Sequence, residues 1–345
     1  MSVPDTPDPV ERSPKPHLPV MLQEVLRTLG PIDGQIFVDG TFGAGGYTTA
    51  LLEAGASHVY AFDRDPTAIA AGAKLVTQFE GRLTLIEGRF SDMDEHLAAR
   101  DITKVNGVVL DIGVSSMQID QAERGFSFQQ DGPLDMRMSK SGPSAADVVN
   151  VLSHGELAHI LKFLGEERQA GRVASAILRF RENQPFETTK DLVNTVTTII
   201  PRKAKDRIHP ATRTFQALRV FVNRELEELA IGMSAAERLL EIDGRLVVVT
   251  FHSLEDRIAK NFFKSRSETR IGGSRHAPQA APLAPPSFSL PSRKALAASE
   301  EECAENPRAR SAKLRVGLRT DQSAFALDMR AMGVPALPGF HGIQE

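Results

Sequence analysis

Ile36-Phe37-Val38-Asp39-Gly40-Thr41-Phe42-Gly43-Ala44-Gly45-Gly46-Tyr47 runs from an apolar strand-like segment into glycines and then restarts with helical spacing. A strand, glycine turn and helix form the kind of loop whose backbone N–H groups, at a helix N-terminus, approach a nucleotide-type cofactor. A second strand-like run, His58-Val59-Tyr60-Ala61-Phe62-Asp63, ends in a carboxylate. Strand, helix and strand together take roughly 20 residues or more, so Asp63 falls where an acid meets the hydroxyls of a cofactor ribose. Loop and acid together point to an adenosine-bearing cofactor; the bland alternative is a strand that merely ends in an ordinary turn.

The glycine spacing narrows the cofactor. A dinucleotide loop needs G-x-G-x-x-G so that the backbone can reach a pyrophosphate. Counted from Gly43, the third glycine would fall at Thr48, so the register fails. Asp39 sits at the strand end just before the glycines, where its charge would repel a pyrophosphate and attract a cation. S-adenosylmethionine, with a sulfonium and an ammonium, suits that charge better than NAD.

Composition sets the outer bounds. A chain of 345 residues with 41% hydrophobic content can fill one large α/β domain plus an addition. The single cysteine, Cys303, permits no intrachain disulfide and no cysteine metal cluster, so no metal site is expected. No apolar run approaches the roughly 20 residues that span a bilayer, and Met1 to Pro19 has no apolar signal core. A cytoplasmic protein is expected. The net charge of −3 does not announce a nucleic-acid partner, so any such site must be local.

Residues 1–16 read as a disordered leader. Strands are expected at Ile36 to Asp39, His58 to Asp63, Leu83 to Glu87 and Val108 to Asp111, with helices near Tyr47 to Ala54 and from Pro66. This alternation predicts a doubly wound parallel sheet whose ligands lie beyond the carboxyl ends of the strands. From 121 to 219 the pattern turns helical: Ala145 to Asn150, Gly155 to Leu164, Gly171 to Glu182 and Thr188 to Ile200, the last opened by a capping box. A long amphipathic helix from about Asn223 to Glu241 then leads into a strand from Arg245 to Phe251. The predicted organisation is a Rossmann-like S-adenosylmethionine-binding domain over 17–120 and 220–330, an inserted helical domain over 121–219, and a tail over 331–345. Pro, Ser, Ala and Gly dominate 265–300, which predicts a mobile loop. Lys313 to Leu318 is the candidate last strand.

The chain closely resembles the bacterial S-adenosylmethionine-dependent 16S ribosomal RNA cytosine-N4 methyltransferases, the MraW family. The segments that carry the resemblance are His17 to Leu22, the Asp39 to Gly46 loop, Asp63-Arg64-Asp65-Pro66, Leu110-Asp111-Ile112-Gly113-Val114-Ser115-Ser116, Glu123 to Phe128 and Asp131 to Met138. His209 to Arg219, Phe251-His252-Ser253-Leu254-Glu255-Asp256-Arg257 and Asn306 to Arg315 complete them, so the likeness covers about 17 to 319. Tyr47, where many members carry histidine, Met117, often proline, and the long leader depart from the pattern. The resemblance implies methylation of the exocyclic N4 of a cytosine in the decoding region of the small subunit, position 1402 in the usual RNA numbering. It also implies a cofactor pocket of Gly45, Gly46, Tyr47, Asp63, Phe90, Asp111 and Gln118; the residues alone add Asp39 and Gly43. Phe90, just after the third strand, can stack on adenine or simply pack in the core.

The chemistry agrees with an amine target. Methylation at cytosine C5 normally needs a thiolate to attack the ring, and the one thiol lies in a polar C-terminal stretch. An exocyclic amine needs only alignment with the methyl group, plus an acceptor for its hydrogens that stabilises the developing positive charge. Asp111 is the candidate acceptor, with Ser115 and Ser116 as further hydrogen-bonding groups. His252, at the next strand end, is a candidate contact to base or phosphate, although Ser253-Leu254-Glu255-Asp256 also reads as a helix cap.

Arg202, Lys203, Lys205, Arg207, Arg213 and Arg219 surround His209 and make a candidate phosphate-contacting face, with Arg207, His209 and Arg213 as its substrate-binding residues. The plain alternative is a solvated helix and loop. Scarce aromatics and no Trp favour a folded particle, the small ribosomal subunit with its 16S rRNA, over extended single-stranded RNA. A cofactor-binding assembly factor, or a methyltransferase with a non-RNA substrate, is the rival reading. The sequence does not fix the oligomeric state and is compatible with a homodimer.

Overall fold

The computed structural model describes residues 19–202, 204, 208–268 and 285–340. The leader, Lys203, Lys205 and Arg207 lie outside the described residues, as do 269–284 and 341–345. Helix α1 (Leu22–Leu29) precedes β1 (Ile36–Asp39), α2 (Gly46–Glu53), β2 (His58–Asp63), α3 (Pro66–Gln78), β3 (Leu83–Glu87), α4 (Met93–Ala98) and β4 (Val105–Asp111). A helical stretch follows: α5 (Ser116–Asp120), α6 (Ala145–Val151), α7 (His154–Leu164), α8 (Ala170–Arg181), α9 (Thr189–Ile199), α10 (Thr212–Val222) and α11 (Glu225–Leu239). The chain then returns through β5 (Leu240–Thr250), α12 (Ser253–Ser267), β6 (Phe288–Ser289), β7 (Leu296–Ala297), α13 (Glu300–Glu305), β8 (Lys313–Arg319) and α14 (Met329–Met332).

The sheet order is β3-β2-β1-β4-β5-β8-β6, with β7 also paired to β8. Strands β1 to β5 are parallel, whereas β8 runs antiparallel to β5, β6 and β7. The all-parallel expectation is therefore corrected to a parallel centre with an antiparallel edge. Alternate residues feed two cores: Val38, Phe62, Val108 and Leu110 face the helices from α4 onward, while Phe37, Val59, Ala61 and Val109 face α1 to α3. A strand buried on both sides needs apolar residues in succession, which is why these segments are so apolar. β1 has β2 on one side and β4 on the other, so the connections diverge there and a crevice opens beyond its carboxyl end.

Among the described residues no strand interrupts the stretch between β4 and β5. Its helices begin with capping boxes at Ser144/Asp147, Ser153/Glu156 and Thr188/Asp191. Their apolar faces join the core of the sheet's β5 side in one continuous cluster, and α10 runs across residue 219.

Two other expectations change. Helix α11 buries 12 of its 15 residues, so it is a core helix rather than an amphipathic one. The acids on it are neutralised from elsewhere: Arg266 Nε donates to Glu237 Oε2 at 2.6 Å and Ser287 Oγ to Oε1 at 2.6 Å. The 265–300 stretch is not one loop, because α12 reaches Ser267 and β6 and β7 pair with β8 inside it. The described part of the tail packs, with Phe340 5.0 Å from the Phe221 ring and Ala336 O bonded to His159 Nε2 at 2.8 Å.

Gly232 of α11 lies where a Cβ would enter the Phe90 ring. Gly232→Ala should therefore lower the melting temperature, although alanine raises helix propensity by about 1 kcal/mol, because an overpacked contact costs about 1–3 kcal/mol. A raised melting temperature in a thermal scan would contradict this packing.

Candidate active site

The glycine loop is tied from beneath. Gly43 and Gly45 have φ of 54° and 78°, in the left-handed region that favours glycine. A side chain at Gly45 would also meet Leu75 and Phe42, and one at Gly46 would meet Pro19. Asp39, fully buried, accepts hydrogen bonds from Thr41 N at 3.1 Å and Thr48 Oγ1 at 2.7 Å. The residue that breaks the dinucleotide register, Thr48, is thus the partner of the acid that precedes the glycines. Asp39 does not line the cleft, which corrects its assignment as a direct cofactor contact. Burial, with the charge of Asp63 adding to it, pushes its carboxyl up to about 6. The Tyr47 hydroxyl donates to Val20 O and fastens the N-terminal segment.

Asp63 lines the cleft and organises it. Its Oδ2 accepts from Gly43 N and its Oδ1 from Asp65 N, each at 2.8 Å, while burial holds its carboxyl above the usual range. The cleft has a volume of about 1060 Å³ and is lined by Asp63, Phe90 and Asp111, with acidic side chains outnumbering basic ones. At the end of β4, Thr41 Oγ1 accepts from Asp111 N at 2.8 Å. Asp111 Oδ1 is buried without a hydrogen-bond partner among the described residues. Burial, then the charges of Asp39 and Glu255, hold this carboxyl well above the usual range.

Ser115 and Gln118 serve the backbone first. Ser115 Oγ accepts from Gln118 N at 3.2 Å and Gln118 Oε1 accepts from Ser115 N at 3.1 Å, a capping box on α5. The Gln118 amide donates to Asp65 Oδ2 at 3.0 Å, beside Arg124 Nη1 at 2.6 Å on the same oxygen. Ser115 and Gln118 both line the cleft while making these bonds. Ser116 opens α5.

The opposite wall comes from β5, α10 and α11. His252, rather than Ser253, caps α12: its Nδ1 accepts from Glu255 N at 3.4 Å and its Nε2 lies 2.8 Å from Glu255 Oε1. Both ring nitrogens lie against Glu255, although Nε2 and Oε1 make no hydrogen bond, and the ring lines the cleft. Arg219 is not on the outer basic face; it lines the cleft, donating to Glu225 from Nε at 2.9 Å and Nη2 at 2.8 Å. Ligand-type atoms of Glu225, His252 and Glu255 lie within 4.8 Å of one another. The Arg219 guanidinium already supplies the positive charge there, with Nη2 3.9 Å from Glu255 Oε1.

Of the remaining basic candidates, Arg202 and Arg213 are exposed, and Arg213 Nη1 donates to Glu166 O at 3.2 Å. His209 Nδ1 accepts from Ala211 N at 3.2 Å, and its ring stands 4.8 Å from that of Phe128. Burial and then the Arg202 charge lower its pKa. None of the three lines the cleft.

Sequence reading missed Arg64, Glu228 and Glu302. Arg64 Nη1 donates to Glu228 Oε2 at 2.7 Å, and burial pushes the Glu228 carboxyl up to about 7. Met21 N donates to Glu302 Oε1 at 2.7 Å, so α13 closes the cleft against the N-terminal segment. The Asn306 to Arg315 segment was the available signal for this wall. For Glu228, whose partner is 164 residues away, there was none.

The Asp39 carboxyl gives a pH test. Its native pKa of about 6 exceeds the ordinary 3.8, so the folded state holds the proton more tightly between those values. Stability must fall as pH rises through that window and stay flat above it. Asp39→Asn keeps an acceptor for Thr41 N and a partner for Thr48. In denaturant unfolding the variant should match wild type near pH 4 and exceed it by about 2–3 kcal/mol near pH 7.5. An equal difference at both pH values would contradict the account.

The profile of the MraW methylase family matches residues 14–320. Ribosomal RNA small subunit methyltransferase H of Rhizobium meliloti (strain 1021) is 59% identical over 324 residues, covering 94% of this chain and 93% of that protein. The protein of the same name from Brucella suis (strain ATCC 23445 / NCTC 10510) is 57% identical, covering 93% of each chain. The crystal structure of an rRNA methylase from Streptococcus thermophilus aligns over 87% of this chain and 94% of that one, with TM-score 0.38 and 10% identity. With nearly its whole described length matched, this chain belongs to the MraW methylase family.

Proposed function

We propose that this enzyme transfers the methyl group of S-adenosylmethionine to the exocyclic N4 of a cytosine in 16S rRNA of the small ribosomal subunit, at position 1402 by family resemblance. The observation that carries this reading is the unpartnered Asp111 Oδ1 at the end of β4, next to the glycine loop in an acid-rich cleft. The donor set fits the cofactor. Asp63 suits the ribose hydroxyls, Phe90 the adenine ring and the Gly43 to Tyr47 loop the remainder, while the excess of acids suits two positive charges. When bound, the cofactor supplies an electrophilic methyl on a sulfonium.

The chain's own residues do the rest. The cytosine N4 lone pair is delocalised into the ring, and an acceptor for its hydrogens favours pyramidalisation. Asp111 takes that hydrogen bond; as N4 gains its bond to carbon, its proton leaves toward the carboxylate. Ring-carbon chemistry is disfavoured because the sole thiol, Cys303, sits on α13 and does not line the cleft. Arg213 and His209, with Arg207 next to them in sequence, contact RNA outside the cleft, and the flat His252 ring supports the incoming base. Family resemblance and the name of the relatives, ribosomal RNA small subunit methyltransferase H, support the small subunit as partner.

The direct test incubates purified enzyme and labelled donor with small subunits from a strain lacking the gene, then identifies the product nucleoside by mass spectrometry. N4-methylcytidine is expected; label on C5 or on protein would refute the proposal. In the same assay kcat/KM for wild type should rise with pH along an acid limb above the ordinary carboxylate range. Asp111→Asn should lose that limb and about 10²–10⁴-fold in kcat. Wild-type turnover by the variant would remove Asp111 from the mechanism.

A further inference from the structure

We infer that Arg219 reads the acceptor edge of the target base and so selects cytosine, an inference that rests on the reaction proposed above. The guanidinium is fixed before any substrate arrives. Its Nε and Nη2 are held by the two oxygens of Glu225, and its backbone oxygen accepts from Asn223 Nδ2 at 2.8 Å. Nη1 has no hydrogen-bond partner among the described residues, and the side chain keeps 17% of its surface at the cleft wall. An arginine that is bidentate on one side and open on the other is a rigid donor fork.

Its surroundings select what it can receive. Glu225 neutralises it, Glu255 lies 3.9 Å from Nη2, and the unpartnered Asp111 carboxyl faces the same cleft. A phosphate entering this corner would meet more negative than positive charge, whereas a neutral base with lone pairs would not. Arg219 and Asp111 also share one acidic neighbour, Glu255. Asp111 pairs with Val249 on the neighbouring strand, and directly beyond it Phe251 N and His252 N donate to Glu255 Oε2 at 2.7 and 3.1 Å. Cytosine presents an N4 donor beside N3 and O2 acceptors along one edge. Asp111 accepts from N4 and the open Nη1 of Arg219 donates to N3, a pairing that uracil, with O4 and an N3–H, reverses at both ends.

The test is a cycle between protein and base. Small subunits are reconstituted with 16S rRNA carrying either cytidine or 3-deazacytidine at the target position, the latter replacing the N3 acceptor with C–H. Methylation rates are measured with wild type, Arg219→Lys, and the double variant Arg219→Met with Glu225→Met, which leaves no unpaired Glu225. Calorimetric S-adenosylmethionine binding confirms that each variant is folded. The change of base alters intrinsic amine reactivity equally in all enzymes. The expected result is a wild-type penalty on the deaza base that exceeds the variants' penalty by about tenfold or more, the worth of a charge-assisted hydrogen bond. Equal penalties in all three enzymes, or variants whose only change is a flatter salt dependence, would overturn the role of Arg219. If neither variant folds, a wild type that methylates both particles equally well would overturn it as well. No transfer to the cytidine particle would instead overturn the reaction itself, and this inference with it.

Discussion

Everything in the cleft depends on a carboxylate that never reaches it. Asp39 is buried at the end of the central strand and binds Thr41 N and Thr48 Oγ1, so one acid spans the turn from β1 into α2. Asp63 adds a second tie by accepting from Gly43 N. The glycine loop is therefore fixed from both sides before any ligand arrives. A charge in such a place is costly, and its elevated pKa expresses that cost. What it gives in exchange is a preorganised loop, with Thr41 relaying the same order to Asp111 through its hydroxyl.

The cleft wall continues this pattern of acids held by local partners. Glu225 fixes Arg219, Glu228 fixes Arg64, Glu255 fixes His252, and Asp65 gathers Gln118 and Arg124. Because Arg64, Arg219 and His252 are each matched by an acid while Asp63 and Asp111 remain in excess, the interior suits a cationic donor and a neutral base. On the proposed reading, polyanionic RNA is left to the outer surface, where Arg202 and Arg213 are exposed. Such a separation of charge environments would let a protein of net charge −3 handle both ligands.

Most of the scaffold was legible because its causes are local. Short apolar runs located β1 to β4, period-3.6 patterns located α6 to α9, and Pro66 and the Thr188 capping box marked helix starts directly. Several of the differences originate in partners that periodicity does not reveal. Helix α11 reads as amphipathic because its glutamates look solvated, and only Arg219, Arg64 and Arg266 explain their burial. β6 and β7 lie in a Pro- and Ser-rich stretch and exist because β8 offers them edges. Asp63, Phe90 and Asp111 could be named from strand ends and family resemblance, but Asp39 and Gln118 spend their polar atoms on structure. Arg219 was grouped with a surface cluster that it does not join.

The central claim is that the crevice beyond β1 and β4 is a preformed seat for a sulfonium methyl donor. Calorimetric titration of the purified protein with S-adenosylmethionine tests it most directly. The account predicts saturable binding at one site per chain, competed by the demethylated cofactor and weakened by Asp63→Ala with the fold retained. Absence of heat and of competition, with or without small ribosomal subunits present, would contradict it.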